Sequence, residues 1–239
     1  MRVGLYATCL ADMVRPTVAM AALALLEAHG CDVVVPSQSC CGQPAFNGGD
    51  HSLAGNLARQ VIESFADCDY VVIPSGSCAG MMRTHYPQLL PNDVAVQAFC
   101  ARVFELTDFL VSVLKAEPRA QCHAVASYHD SCSGLRELGV KQQPRALLAR
   151  VAGLTLCEMS EAEQCCGFGG TFAVKYPEIS CAIADKKCAA LAASGATILI
   201  GGDLGCLLHL EGRLRAQGNT QTRVLHIAEV LTGSGSEVP

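Results

Sequence analysis

Eight of the fifteen cysteines in this chain recur as two matching sets. In the first, Cys9 is followed by the adjacent pair Cys40-Cys41 with Gly42, and then by Cys78; in the second, Cys132 is followed by Cys165-Cys166 with Gly167, and then by Cys206. Matching positions are offset by 123, 125, 125 and 128 residues. Loop insertions absorb so small a drift, so the chain reads as one thiol-bearing unit written twice. Four thiolates per set match the ligand count of an iron-sulfur cluster and of a structural zinc site alike. Zinc ribbons and thioredoxin-like redox sites rely on Cys-x-x-Cys, which occurs nowhere in this chain. Adjacent cysteines fit poorly around one tetrahedral ion but can reach different irons of a larger cluster. Gly42, Gly167, Gly169 and Gly170 are candidate cofactor-binding residues, because glycine lets backbone amides approach cluster sulfurs closely and donate to them.

The other seven cysteines fall where a small hydrophobe ordinarily sits. Cys31 and Cys157 lie in or beside expected strands, and Cys68 lies just before one. Cys181 and Cys188 share an expected helix, while Cys100 and Cys122 are near element ends. His129 and Asp130, just ahead of Cys132, are read as turn residues, with cluster tuning or proton relay as the alternative. His209 is read as a helix residue facing solvent or a partner rather than a fifth ligand, Met81 as core, and Lys175 as a solvated lysine. No residue is assigned a catalytic role.

Strands alternating with helices must position these sets. In the first half, strands are expected at Val3–Ala7, Cys31–Pro36 and Tyr70–Pro74, with helices from Pro16 to His29 and Asp50 to Phe65. In the second, strands are expected at Ala124–Tyr128, Leu154–Glu158 and Thr197–Ile200, with helices from Pro144 to Val151 and Ile179 to Ala193. Even the ends correspond, Glu105–Leu110 closing one copy as His226–Leu231 closes the other. The fold class is therefore α/β, with two similar Rossmann-like domains of parallel sheet arising from duplication. Their expected bounds are residues 1–116 and 122–232, joined by the linker Lys115 to Gln121 and followed by a flexible tail at 233–239. Ligand loops of such sheets sit at the carboxyl ends of the strands, which would gather each cysteine set at one edge.

Composition removes several function classes. A net charge of −5 with scattered basic residues leaves no footprint for nucleic acid. The longest uncharged apolar stretch, Val18 to Leu26, is too short for a membrane span, and no signal-peptide core is present. A chain that can form a core and carries no export signal does not need fifteen cysteines as disulfides, so a reducing cytoplasm is expected. No Gly-x-Gly-x-x-Gly fingerprint opens a helix and no Walker loop occurs, so this chain does not bring its own nicotinamide, flavin or nucleotide site of those kinds.

The segments Cys40-Cys41-Gly42-Gln43-Pro44-Ala45-Phe46-Asn47, Pro74-Ser75-Gly76-Ser77-Cys78, Cys165-Cys166-Gly167-Phe168-Gly169-Gly170-Thr171-Phe172 and His226–Leu231 resemble the cysteine-rich CCG domains found in heterodisulfide reductase and in the iron-sulfur subunit of glycolate oxidase. Over the whole chain the pattern is most similar to the lactate utilization protein A family. That resemblance implies an iron-sulfur subunit of a complex oxidising L-lactate to pyruvate. Its implied companions are a larger iron-sulfur protein and a small third subunit, and each domain would hold a cluster, of the 4Fe-4S kind, on the eight motif cysteines. In heterodisulfide reductase each motif ends in Cys-x-x-Cys, whereas here Cys78-Ala79-Gly80-Met81 and Cys206-Leu207-Leu208-His209 lack the fifth thiol. The resemblance therefore points away from the noncubane cluster and toward an ordinary four-iron or three-iron one. The rival reading is a scaffold stapled by zinc or iron; a glycolate-oxidising or heterodisulfide-reductase-like complex is the alternative within the enzyme class.

Overall fold

A computed structural model describes residues 1–233; the expected tail beyond Gly233 lies outside the described residues. Two four-stranded sheets, every pairing in them parallel, carry the chain. The first contains β1 (Arg2–Leu5), β2 (Asp32–Val34), β3 (Tyr70–Ile73) and β4 (Val103–Glu105), in the order β2-β1-β3-β4. The second contains β5 (Gln121–His129), β6 (Ala152–Leu156), β7 (Ile198–Gly201) and β8 (Arg223–His226), in the matching order β6-β5-β7-β8. The central strands β3 and β7 are continuous apolar runs because helices cover both faces of a parallel sheet. The edge strands β4 and β8 were not expected from sequence. Val-Phe-Glu and Arg-Val-Leu-His are too short and mixed to stand out from the helices around them.

Local chemistry sets the helix starts. Pro16 and Pro177 open the helices Pro16–Ala28 and Pro177–Ala193, where a missing N–H is harmless. Cys9 and Cys132, expected in turns, instead begin the short helices Cys9–Val14 and Cys132–Leu138. The preceding hydroxyls explain this: Thr8 Oγ1 accepts from Ala11 N at 3.2 Å, and Ser131 Oγ from Gly134 N at 3.3 Å.

The halves pack about a pseudo-two-fold. Helix Pro16–Ala28 meets Ile227–Thr232 as Gln142–Leu148 meets Leu106–Asp108, and Gly76–Gly80 meets Cys132–Leu138 as Leu204–Ala216 meets Cys9–Val14. The short helices Gln43–Gly48 and Thr171–Lys175, each just after a Cys-Cys-Gly turn, face each other. One apolar cluster spans both halves, joining Val3, Leu5 and Val72 of one sheet to Ala126, Ile198 and Ile200 of the other. Ala116 and Ala120, within the expected linker, are buried in that cluster. Polar bonds also cross the seam. Asp203 Oδ2 accepts from Ser77 N at 2.8 Å and Ser75 Oγ at 3.1 Å, and Arg15 pairs with Glu211 at 2.9 Å.

Two expected outcomes follow from this seam. A Cβ at Gly76 would stand 2.7 Å from Ser131 Oγ and 3.0 Å from Gly134 Cα across the interface. Gly76→Ala should therefore lower stability by about 2 kcal/mol, read as a shift in urea midpoint. Glu105, buried where β4 ends, is pushed up to about 7 by desolvation, against donation from Thr107 and Asp108 amides. A raised carboxyl stabilises the fold below its ordinary range and loses that contribution as pH rises through about 7. Glu105→Gln should therefore gain about 2 to 3 kcal/mol relative to the unsubstituted chain between pH 5 and pH 8, measured by urea unfolding at both.

Candidate metal centre

Strand order decides where the cysteines meet. Cys9 follows β1, Cys40 and Cys41 follow β2, and Cys78 lies in the helix Gly76–Gly80 that follows β3. Because β2, β1 and β3 are neighbours, their carboxyl ends, and hence all four thiols, share one edge. The second half repeats this with Cys132 after β5, Cys165 and Cys166 after β6, and Cys206 after β7. In each set the second cysteine of the pair and the last cysteine are buried; Cys9 is exposed, and Cys40, Cys132 and Cys165 are half-buried.

Within each set the thiols form a row. Cys41 Sγ donates to Cys78 Sγ at 3.4 Å, and the free thiols of Cys9 and Cys40, and of Cys40 and Cys41, are close enough to shift one another's ionisation. Cys132, Cys165, Cys166 and Cys206 follow the same sequence of contacts. Both rows concentrate negative charge at the same place. Donation from Cys41 and then Cys9 pulls Cys40 down to about 2, and donation from Cys132 and then Cys166 pulls Cys165 down to about 2. The donating thiols move up: Cys9 and Cys132 chiefly through their bonds to Cys40 and Cys165, Cys41 and Cys166 through bonds at both sides. Gly167 N donates to Cys165 Sγ at 3.3 Å and Phe168 N to Cys166 Sγ at 3.4 Å, so backbone amides already face the sulfurs.

These donors fit a multi-iron cluster. A single tetrahedral ion about 2.3 Å from four thiolates needs all its sulfurs within about 4 Å of one another. Among the described residues, no three cysteine sulfurs lie mutually within 4.8 Å. An all-sulfur row that bonds only neighbour to neighbour, with amides aimed at it, suits ligands spread over several irons.

The glycines serve the turns. Gly42 has φ +84° and Gly167 φ +89°, and a Cβ at either would press on the backbone oxygen of Ala54 at 3.3 Å or Ser180 at 2.5 Å. Gly169 and Gly170 also have positive φ. They help line a cavity of about 170 Å³ between the halves that reaches Cys132, Cys165, Cys166 and Cys206. In the first half the strain falls on Thr8 instead, a β-branched residue at φ +57° immediately before Cys9.

The other singled-out residues divide. Asp130 is buried and forked by Arg145 at 2.9 and 2.8 Å, a structural role consistent with the turn reading. His129 is no turn residue: it ends β5, is 1% exposed, and neither ring nitrogen has a partner. One ring nitrogen lies within 4.8 Å of both Cys166 and Cys206 sulfurs. His209 Nε2 engages Ser180 Oγ at 3.1 Å rather than the sulfur row. Met81 is core, Lys175 is exposed, and Cys31, Cys68, Cys100, Cys122 and Cys188 are buried, as small hydrophobes of the core are.

Several residues at the sites went unread in the sequence. Tyr6 donates to Ser39 O at 2.7 Å and Tyr86 to Cys41 O at 3.0 Å, so two buried phenols hold the first Cys-Cys turn. Lys187, 3% exposed, donates to Glu161 O at 2.7 Å and Ala162 O at 2.9 Å, tying down the loop that leads to Cys165. A signal existed: Ser180, Ala184, Lys187 and Leu191 share one helical face, so a lysine stood in an apolar register.

Gly167→Ala should cost about 3 kcal/mol and Gly42→Ala about 1 to 2, since both break a left-handed turn but the Cβ would stand 2.5 Å from backbone at Gly167 and 3.3 Å at Gly42. Urea unfolding of the two metal-stripped variants measures the difference.

The sequence profile of the CCG cysteine-rich domain matches residues 3–83 and 126–211, one segment over each sulfur row. Lactate utilization protein A of Shouchella clausii is 46% identical over 237 residues, covering 97% of this chain and 98% of that one. The protein of the same name from Geobacillus kaustophilus is 47% identical over 237 residues, covering 97% and 98%. A crystal structure of a hypothetical protein from Helicobacter pylori superimposes with a TM-score of 0.74 at 12% identity, and all of this chain spans 49% of that one, a likeness of fold alone. Two cysteine-rich domains, matched end to end with relatives of equal length, make this chain a member of the lactate utilization protein A family.

Proposed function

We propose that this chain is the iron-sulfur subunit of a multi-protein complex that oxidises L-lactate to pyruvate, with residues 1–116 and 122–232 each holding one cluster. The observation that carries the reading is the all-sulfur row of four cysteines, built twice at equivalent strand ends and faced in the second half by backbone amides. Cys9, Cys40, Cys41 and Cys78 would hold one cluster, and Cys132, Cys165, Cys166 and Cys206 the other; a 4Fe-4S cluster in each supplies one-electron transfer. The chain's own residues do the rest. Gly167 and Phe168 amides donate to sulfur, Tyr6 and Tyr86 hold the first loop, and buried Cys41, Cys78, Cys166 and Cys206 exclude water from one side of each row. Exposed Cys9 leaves the first row open to a partner such as the companion iron-sulfur protein or the small third subunit. Among the described residues no helix is long and apolar enough to cross a membrane.

One observation favours the rival, a zinc-stapled scaffold: His129, Cys166 and Cys206 are close enough to share a single ion. Metal analysis separates the two. Anaerobically purified protein should contain iron with matching acid-labile sulfide and show a reducible electron paramagnetic resonance signal, and Cys41→Ala or Cys166→Ala should each remove about half of the iron. Zinc without sulfide would establish the scaffold. The chain alone should not reduce an artificial acceptor with L-lactate, whereas the chain with its companions should; turnover by the isolated chain would overturn the subunit reading.

A further inference from the structure

The two sulfur rows are built alike but surrounded differently. Gly42 packs on Ala54 where Gly167 packs on Ser180, which aligns the helix His51–Ser64 with Pro177–Ala193 residue for residue. At the buried position seven residues further on, the first half has Val61 and the second has Lys187. The residue three before the first cysteine is Tyr6 in one half and His129 in the other. Tyr6 spends its hydroxyl on Ser39 O, whereas the His129 ring is unpartnered beside the Cys166 and Cys206 sulfurs. Lys187 acts electrostatically on Cys206 and His129 on Cys165, while the leading influences on Cys9, Cys40 and Cys41 include no cation. Asp203 opposes Lys187 at Cys206, where it is the larger of the two influences, and also acts on Cys132; part of its charge is satisfied by donation from Ser77 N and Ser75 Oγ.

We propose that Lys187, assisted by His129, makes the second row the stronger electron acceptor of the two, so that the electron taken up by this chain resides in the half containing Cys165 and Cys166. The inference rests on the reading that both rows carry clusters. Its physical basis is the field of a buried ammonium. Adding an electron adds negative charge, which a cation in a low-dielectric site stabilises strongly, and a polar imidazole within 4.8 Å of two sulfurs works in the same direction when it turns its N–H toward them. The first row is set among Val61, Phe65, Tyr86 and other apolar neighbours, and among the described residues no lysine or arginine besides Lys187 is buried.

Redox titration followed by electron paramagnetic resonance tests this on full-length anaerobic protein. Cys41→Ala and Cys166→Ala isolate the second and first centres with Lys187 in place in both. The second centre should have the higher midpoint. Lys187→Met should then lower that midpoint, cutting the reduced fraction about tenfold at the potential where the unsubstituted centre is half reduced, while Lys187→Arg preserves it. Should Lys187→Met fail to load iron, the comparison of the two single-centre proteins decides. Equal or reversed midpoints overturn the proposal while leaving the clusters in place, as does an unchanged midpoint in iron-replete Lys187→Met protein. Absence of iron and sulfide from the unsubstituted chain overturns the cluster reading, and this proposal with it.

Discussion

Four thiols brought from positions up to 69 residues apart share one edge because β2, β1 and β3 lie side by side and all point the same way. Parallel strands end at the same edge of their sheet, so the loops that follow them converge there without any thiol needing to seek another. Everything else in the site elaborates on that arrangement. The Cys-Cys-Gly turn needs positive φ at its glycine, the capping hydroxyls of Thr8 and Ser131 start helices at the first cysteine, and Ser75 starts the helix holding Cys78. A strand in the opposite direction would carry its cysteine to the far side of the sheet.

Duplication also supplied an interface. The helix pairs that join the halves come in equivalent couples, and the short helices after the two Cys-Cys-Gly turns meet each other directly. Close approach at Gly76 and Gly134 leaves no room for a side chain, and the shared apolar cluster spans both sheets. Neither half keeps all its buried surface to itself. The two sulfur rows therefore sit on one body, joined by the core that both halves share.

Against that symmetry the departures are informative. Where the scaffold alone mattered, the halves kept equivalent features: the glycine turn, the buried second cysteine and the strand order. Where the immediate surroundings of sulfur are concerned they diverged, Tyr6 against His129 and Val61 against Lys187. A buried lysine and an unpartnered buried histidine both cost stability unless something nearby compensates. Lys187 recovers part of that cost from the carbonyls of Glu161 and Ala162, but the His129 ring has no hydrogen bond among the described residues, and two sulfurs lie within 4.8 Å of it.

The repeat, the two four-thiol sets and the alternation of strand and helix were legible in the sequence, because each is written in spacing or periodicity within a short window. Pro16 and Pro177 marked helix starts, and the apolar runs at Tyr70 and Ile198 marked central strands. The edge strands β4 and β8 were not legible, since three or four residues of mixed character become strands only when a neighbour offers its backbone. The hydroxyls before Cys9 and Cys132 did carry the local signal that those cysteines begin helices. What only the tertiary structure decided was burial and company: that His129 faces sulfur without a partner, that Lys187 lies inside, and that the halves share a core. Those properties belong to contacts between elements far apart along the chain, and a one-dimensional pattern records which residues are present, not which surfaces close over them.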